Sequence, residues 1–146
     1  MGHSAGGHMA TLLVVNDHFL SQHSIETSKI KGVIIVSGVF EIISKEGGAT
    51  PKYLGMVFGD DSRVWKEASC QSHLEESKKL PPFLIAWSSE ENPLIVEEST
   101  NFVSTLQGKD YKLKTYVFPG KDHDSFQNEL MNTSSEFYQL FQEMMK

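Results

Sequence analysis

The sequence is poor in the features that mark secreted and membrane-spanning proteins. It holds a single cysteine, Cys70, so no disulfide can form within the chain, which fits a reducing compartment. Its longest apolar runs, residues 11–15 and 32–40, fall far short of the roughly 20 residues that span a bilayer. The chain does not open with a basic segment followed by an apolar run, the pattern of a secretory signal. We therefore expect a cytoplasmic protein that does not enter a membrane.

Basic charge is also scarce. Thirteen Lys and Arg residues stand against nineteen Asp and Glu residues, which gives a net charge of −6 with no basic cluster. A nucleic-acid-binding domain carries a basic patch, so we expect no nucleic-acid partner. The 39% hydrophobic and 22% charged content is ordinary for a folded chain. The length fits one small unit, and no linker or repeat divides residues 1–146.

Short apolar runs alternate with helical patterns along the chain. The runs are rich in β-branched or aromatic residues, are typical of strands buried in a parallel sheet, and span residues 32–36, 83–87 and 114–118. Apolar residues recur at helical spacing over residues 6–20, 94–106 and 125–144. The long connection over residues 41–80 contains a predicted short helix at residues 63–68. Strands separated by helices predict an α/β fold of about three parallel strands flanked by helices.

The first residues carry the most informative motif. Residues 2–6 are Gly-His-Ser-Ala-Gly, a match to G-x-S-x-G, although a Gly-rich turn or a helix N-cap would also fit. On a sharp strand-to-helix turn the backbone of Ser4 would be strained, and we expect Gly2 and Gly6 to avoid side-chain clashes there. The Ala5 amide and the helix N-terminus would then face a developing oxyanion.

Acid and base candidates follow the serine in the order Ser, carboxylate, His, the order expected for an α/β-hydrolase. His123 follows the third predicted strand, on a loop before the last helix. Glu90 and Glu91 both follow the second strand, where a carboxylate would orient the imidazole, although either could instead be part of an acidic first helical turn. Asp122 is a poor acid, because adjacent side chains in extended backbone point apart.

The other histidines do not form a metal-binding pattern. His3 lies within the motif, His8 and His18 lie on the first predicted helix, and His23 and His73 lie in irregular polar stretches. The pairs His3/His8 and His18/His23 are each five residues apart, which differs from the i, i+4 spacing of paired helical ligands. We therefore expect no metal and no other cofactor.

These features resemble the α/β-hydrolase superfamily, on its esterase/lipase side. Within it the chain is most similar to the arylformamidases (kynurenine formamidases) and their esterase relatives. The matching segments are residues 2–10, residues 36–42, residues 91–93 with Glu98, Ser99 and Phe102, and residues 122–123. The resemblance implies that Ser4 is the nucleophile, Glu91 the acid and His123 the base. Glu91 stands two residues before Pro93, where the family usually has aspartate.

The resemblance implies a serine hydrolase of carboxylic esters or aryl formamides, the latter a substrate class of tryptophan catabolism, acting on a small molecule without a cofactor. In the family the motif follows a full strand near the middle of the chain, whereas here it begins at residue 2. We therefore expect a partial domain, the C-terminal half of a hydrolase, without the strand that leads into Ser4 and without the His-Gly-Gly-type oxyanion loop. The alternative is a non-catalytic α/β module that pairs with another chain, or with its own copy, through an exposed strand.

Overall fold

A four-stranded parallel sheet forms the centre of the structure, a computed structural model that describes residues 1–43, 51–74, 79–109 and 111–146. Its strands lie side by side in chain order: β1 (Gly2–His3), β2 (Val33–Val36), β3 (Phe83–Ser88) and β4 (Leu113–Phe118). The last three confirm the predicted strands. The strand β1 was expected to be absent, yet its two residues pair with β2. Ser4 therefore follows a strand end that the sheet holds in place.

Helices connect and cover the strands. They are α1 (Ala5–Val15), α2 (His18–Ser21), α3 (Pro51–Phe58), α4 (Ser62–Ala68), α5 (Pro93–Gly108), α6 (Gln127–Leu130) and α7 (Glu136–Met145). Single turns of 3-10 helix at Thr27–Lys29 and Cys70–His73 complete the connections. The helix predicted near residues 63–68 is confirmed as α4, and Cys70 is a free, buried thiol. No helix in the described ranges has the length and apolar character needed to cross a membrane.

Both faces of the sheet are buried, which is why its central strands are continuously apolar. On one face Val33 and Ile35 of β2 pack in a cluster with residues of α1, β3 and α5. On the other face Ile34 and Val36 pack in a second cluster that includes Phe137 of α7. Because side chains alternate along a strand, β2 and β3 each supply residues to both clusters. The predicted α/β layering, with helices on both sides of a parallel sheet, is confirmed.

Two long predicted helices are each interrupted. The first, over residues 6–20, ends at Val15, where Asn16 adopts an extended backbone, and resumes as the short α2. The second, over residues 125–144, breaks into α6 and α7. There the side chain of Asn132 accepts a hydrogen bond from the Ser134 amide, and the Ser135 hydroxyl accepts one from the Tyr138 amide. Such local side-chain hydrogen bonds compete with helix continuation.

The long connection between β2 and β3 contains a helix that sequence periodicity did not predict. This helix is α3, which begins at Pro51. Residues 44–50 and 75–78 of the same connection lie outside the described residues.

Candidate active site

Ser4 occupies a strained position between β1 and α1. Its φ and ψ angles are 52° and −122°, in a region that non-glycine residues rarely adopt. The turn is held from both sides, because the Ser4 amide donates to the Val36 carbonyl (3.0 Å) and the Ser4 carbonyl accepts from the His8 amide (3.1 Å). The prediction of a strained serine on a strand-to-helix turn is confirmed.

The glycines around Ser4 have unequal roles. A Cβ atom on Gly2 would lie 2.1 Å from the Gly6 carbonyl oxygen, so Gly2 cannot carry a side chain without moving the turn. A Cβ atom on Gly6 would meet nothing within 4 Å, so the expectation of a clash there is wrong. The close approach falls instead on Gly7, where a Cβ atom would lie 2.9 Å from Cγ2 of Ile35 and 3.2 Å from Cα of Gly38. Gly7 faces the sheet, whereas Gly6 is exposed to solvent.

Glu91 and His123 form a buried carboxylate–imidazole pair. Nδ1 of His123 lies 2.9 Å from Oε2 and 3.0 Å from Oε1 of Glu91. The Glu91 side chain is 1% exposed, whereas that of His123 is 33% exposed. A carboxylate only accepts hydrogen bonds, so Nδ1 carries the proton, and in the neutral imidazole Nε2 keeps its lone pair. The Asn92 amide also donates to Oε1 (2.8 Å), which fixes the carboxylate.

Backbone hydrogen bonds join the two loops that carry this pair. The Ser89 amide donates to the Phe118 carbonyl (3.0 Å), and the Glu90 amide donates to the Lys121 carbonyl (2.8 Å). The Ser89 hydroxyl accepts from the Gly120 amide (2.8 Å). The loops after β3 and β4 are therefore locked together, and Glu91 comes next to His123 for that reason.

The competing carboxylates take other roles. Glu90 is exposed. Asp122 accepts hydrogen bonds from the amides of Asp124 (3.1 Å) and Ser125 (2.9 Å). Hydrogen bonds with Ser125, and then with Asp124, hold the pKa of the Asp122 carboxyl below its usual value. Glu91 is thus the carboxylate that contacts His123.

His3, the residue before the nucleophile candidate in the sequence, packs against His123. Its ring centroid is 4.6 Å from that of His123 and 4.8 Å from that of Phe126. Its Nε2 atom is buried and has no hydrogen-bond partner among the described residues. Burial lowers the pKa of His3 below its ordinary value, and the neighbouring His123 lowers it further. Sequence reasoning assigned His3 no role, because its contact with His123 depends on how the strands align.

The predicted site residues Ser4, Glu91 and His123 follow the ends of β1, β3 and β4 at the carboxyl edge of the sheet. Glu91 and His123 are in hydrogen-bonding contact. Ser4 lies at the same edge, adjoining His3, and no hydrogen bond joins its hydroxyl to His123 within the described part of the chain.

A cavity of about 370 Å³ opens beside Ala5. Its lining is mostly apolar and includes side chains from α3, from the loop after β2 and from the start of α5: Val39, Ile42, Ile43, Tyr53, Leu54, Val57, Phe58, Leu94 and Ile95. The α3 residues were missed, although a proline at a helix start followed by apolar residues at i and i+4 is a usable helical signal. The cavity itself depends on tertiary packing and leaves no local pattern.

The loop after β2 forms one wall of this cavity and is anchored by Glu98. Its carboxylate accepts hydrogen bonds from the amides of Phe40 (2.9 Å) and Glu41 (3.2 Å). The Phe40 ring stacks on Phe102 with centroids 4.2 Å apart. These are residues through which the sequence resembles the formamidases, and their role here is to shape the cavity wall.

The sequence pattern of the prolyl oligopeptidase family matches residues 1–146. The chain belongs to the prolyl oligopeptidase family. Its members and structural neighbours are hydrolytic enzymes, and the expected α/β-hydrolase fold is confirmed.

Individual relatives of this prolyl oligopeptidase family member are hydrolases of about twice its length. A kynurenine formamidase from Salmo salar is 23% identical over 152 residues, covering 99% of this chain and 48% of that protein. The thermophilic esterase Est2 from Thermogutta terrifontis is 23% identical, with a TM-score of 0.71 and coverage of 99% of this chain and 52% of the other. Esterase B from Lactobacillus rhamnosis is 18% identical, with a TM-score of 0.71 and coverage of 98% and 51%. The chain thus spans about half the length of the relatives it matches.

Proposed function

We propose that this chain carries the catalytic triad of a serine hydrolase that cleaves carboxylic esters or aryl formamides, with Ser4 as nucleophile, His123 as base and Glu91 as acid. The observation that carries the proposal is the buried Glu91–His123 hydrogen bond, 2.9 Å long, at the sheet edge where the strained Ser4 lies. Strained backbone at a reactive side chain is typical of active sites.

In the proposed mechanism Glu91 holds the Nδ1 proton of His123 and stabilises the imidazolium form. Nε2 of His123 takes the hydroxyl proton as the Ser4 oxygen attacks the substrate carbonyl. The Ala5 amide, at the N-terminus of α1, donates to the oxyanion. The imidazolium then protonates the leaving alcohol or amine, which leaves an acyl-enzyme, and water activated by His123 releases the acid and regenerates Ser4.

Glutamate serves as the acid here in place of the aspartate that is usual in relatives. Its side chain is longer by one methylene group, which extends the reach of the carboxylate by about 1.5 Å. Two kinds of contact support Glu91 as the acid. The Asn92 amide fixes its carboxylate, and both carboxylate oxygens lie within 3.0 Å of Nδ1 of His123. Sequence alone left Glu90 open as an alternative.

The cavity supports a small substrate with an apolar group. Its volume of about 370 Å³ lies within the range usual for small-molecule sites, and its wall includes Ala5, the proposed oxyanion donor. The similarity of the chain to a kynurenine formamidase and to esterases favours aryl formamides and esters as substrates. A role in tryptophan catabolism, in the cytoplasm and without a cofactor, belongs to the same proposal.

The test is steady-state hydrolysis of p-nitrophenyl acetate, an aryl formamide and a prolyl p-nitroanilide. We expect the ester and the formamide to be cleaved. Ser4→Ala and Glu91→Gln are expected to lower kcat/KM by about 10³-fold or more, because the triad acts as a unit. Glu90→Gln is the matched control and is expected to change kcat/KM less than threefold.

Equal losses in Glu90→Gln and Glu91→Gln would contradict the assignment of the acid. Preference for the prolyl anilide would contradict the substrate class. No hydrolysis by a chain that circular dichroism shows to be folded would favour the alternative, a non-catalytic α/β module.

A further inference from the structure

Three side chains of types that can ligate a metal lie close together in the part of the chain that the structure describes. His3, His123 and Asp124 each offer one ligand atom, and these atoms lie within 4.8 Å of one another. The proposed hydrolysis uses neither His3 nor Asp124. We propose that the three side chains bind one Zn²⁺ ion, through Nε2 of His3, Nε2 of His123 and the Asp124 carboxylate, and that the bound ion switches off His123 as a base.

The hydrogen bond with Glu91 that orients His123 for the proposed catalysis also suits His123 to bind a metal. Metal-binding histidines almost always donate their second ring N–H to a carboxylate or a carbonyl, which fixes the tautomer and raises the basicity of the ligating nitrogen. Glu91 accepts from Nδ1 of His123 at 2.9 Å, so the free lone pair is on Nε2. The buried Glu91 carboxylate is therefore also a suitable outer-shell partner for a metal.

His3 supplies a second nitrogen with no partner of its own. Its Nε2 is buried and makes no hydrogen bond to any residue that the structure describes, an unfavourable state for a polar atom. The ring cannot turn away freely, because it packs against His123 on one side and Phe126 on the other. A cation at this point would satisfy the Nε2 atom.

Asp124 completes the set and supplies negative charge. Its side chain is exposed, and its carboxylate offers an oxygen within 4.8 Å of the ligand nitrogens of His3 and His123. Tetrahedral zinc with ligands at 2.0–2.1 Å would require ligand atoms roughly 3.3 Å apart, so the group must contract by about 1.5 Å at most. Rotation of the exposed Asp124 side chain can provide this movement.

The donor set favours zinc over other common cations. Two imidazole nitrogens and one carboxylate oxygen suit Zn²⁺, whereas Mg²⁺ prefers oxygen ligands alone. Among divalent first-row metals such a site binds Zn²⁺ more tightly than Fe²⁺. His3 is far in sequence from the adjacent His123 and Asp124, so the spacing rule that argued against His3/His8 and His18/His23 did not apply to this group.

Zinc bound at Nε2 would occupy the lone pair that removes the Ser4 proton. Zinc binding itself does not depend on the proposed function, whereas its inhibitory effect rests on it. The two parts therefore need separate measurements.

The binding test is isothermal titration calorimetry of Zn²⁺ into the folded chain. We expect one ion per chain, unaffected by equimolar Mg²⁺. His3→Asn and Asp124→Asn each remove a ligand and are expected to weaken binding at least tenfold, and Glu91→Gln is expected to weaken it about 10–100-fold through the lost outer-shell contact. His18→Asn, at an exposed histidine outside the site, is the matched control and is expected to bind like wild type.

Absence of zinc binding, or equal zinc affinity in the wild type and in Asp124→Asn, would contradict the proposed zinc site. Because Asp124 is exposed, Asp124→Asn remains informative even if His3→Asn fails to fold. The inhibition test compares p-nitrophenyl acetate hydrolysis with and without saturating Zn²⁺, with EDTA added afterwards. We expect at least tenfold inhibition that EDTA reverses. Unchanged hydrolysis in the presence of bound zinc would overturn the inhibitory part, whereas absence of hydrolysis without zinc would be a failure of the proposed function alone.

Discussion

Single residues around Ser4 differ sharply in how much space they have. The serine backbone is strained, and the turn brings α1 so close to β2 that a side chain on Gly7 would contact Ile35 and the Gly38 backbone. Gly6, one residue earlier, points into solvent. The motif G-x-S-x-G treats its two glycines alike, but only Gly2 is sterically required, and the second restricted position is Gly7.

This difference gives a matched pair of variants. Gly7→Ala is expected to lower the free energy of unfolding by about 1–3 kcal/mol, since the added methyl group must displace buried neighbours. Gly6→Ala is expected to raise it by up to about 1 kcal/mol, because alanine favours the helix over glycine and meets no neighbour. Urea unfolding followed by circular dichroism measures both. Destabilisation of the two variants by the same amount would contradict the close approach at Gly7.

The sequence predicts a candidate site residue only where that residue belongs to a local motif or follows a recognisable strand. Ser4 and His123 were predicted from the G-x-S-x-G pattern and from position after a strand, and Glu91 was one of two open choices. The locked loops after β3 and β4 favour Glu91, because they bring Glu91 and not Glu90 to His123. His3 could not be assigned a role, since its contact with His123 arises between the ends of β1 and β4.

At the level of elements, strands were easier to predict than helices. The runs that form β2, β3 and β4 are apolar because both sheet faces are covered, and this requirement leaves a clear pattern in the sequence. Helix ends depend on single hydrogen bonds. The break before α7 is set by the side chains of Asn132 and Ser135, within a stretch whose apolar spacing continues undisturbed on both sides.

The start of α7 can be tested through its N-cap. Ser135→Ala leaves the Tyr138 amide without its side-chain acceptor, and we expect the free energy of unfolding to fall by about 1 kcal/mol. Ser134→Ala is the control, because the Ser134 backbone amide, not its hydroxyl, donates to Asn132. We expect that control to change stability by a few tenths of a kcal/mol at most, again by urea unfolding. An equal loss in both variants would contradict the capping role of Ser135.

In the whole molecule, the residues of the proposed triad lie at the carboxyl edge of the parallel sheet. Ser4 follows β1, Glu91 follows β3 and His123 follows β4, in agreement with the rule that function in open α/β sheets lies at the carboxyl ends of strands. The fold class and the edge could be predicted from the order of elements. The cavity could not, because its wall combines α3, the loop after β2 and the start of α5.

The central claim is that Ser4, Glu91 and His123 act together. It is tested most directly by treating the 146-residue chain with a fluorophosphonate probe and locating the modified residue by mass spectrometry. We predict that the probe modifies Ser4 in the wild-type chain and in Glu90→Gln. We predict that it does not modify Ser4 in Glu91→Gln or His123→Ala. A folded wild-type chain that stays unmodified at Ser4, or a Ser4 that is modified equally well without His123, would contradict it.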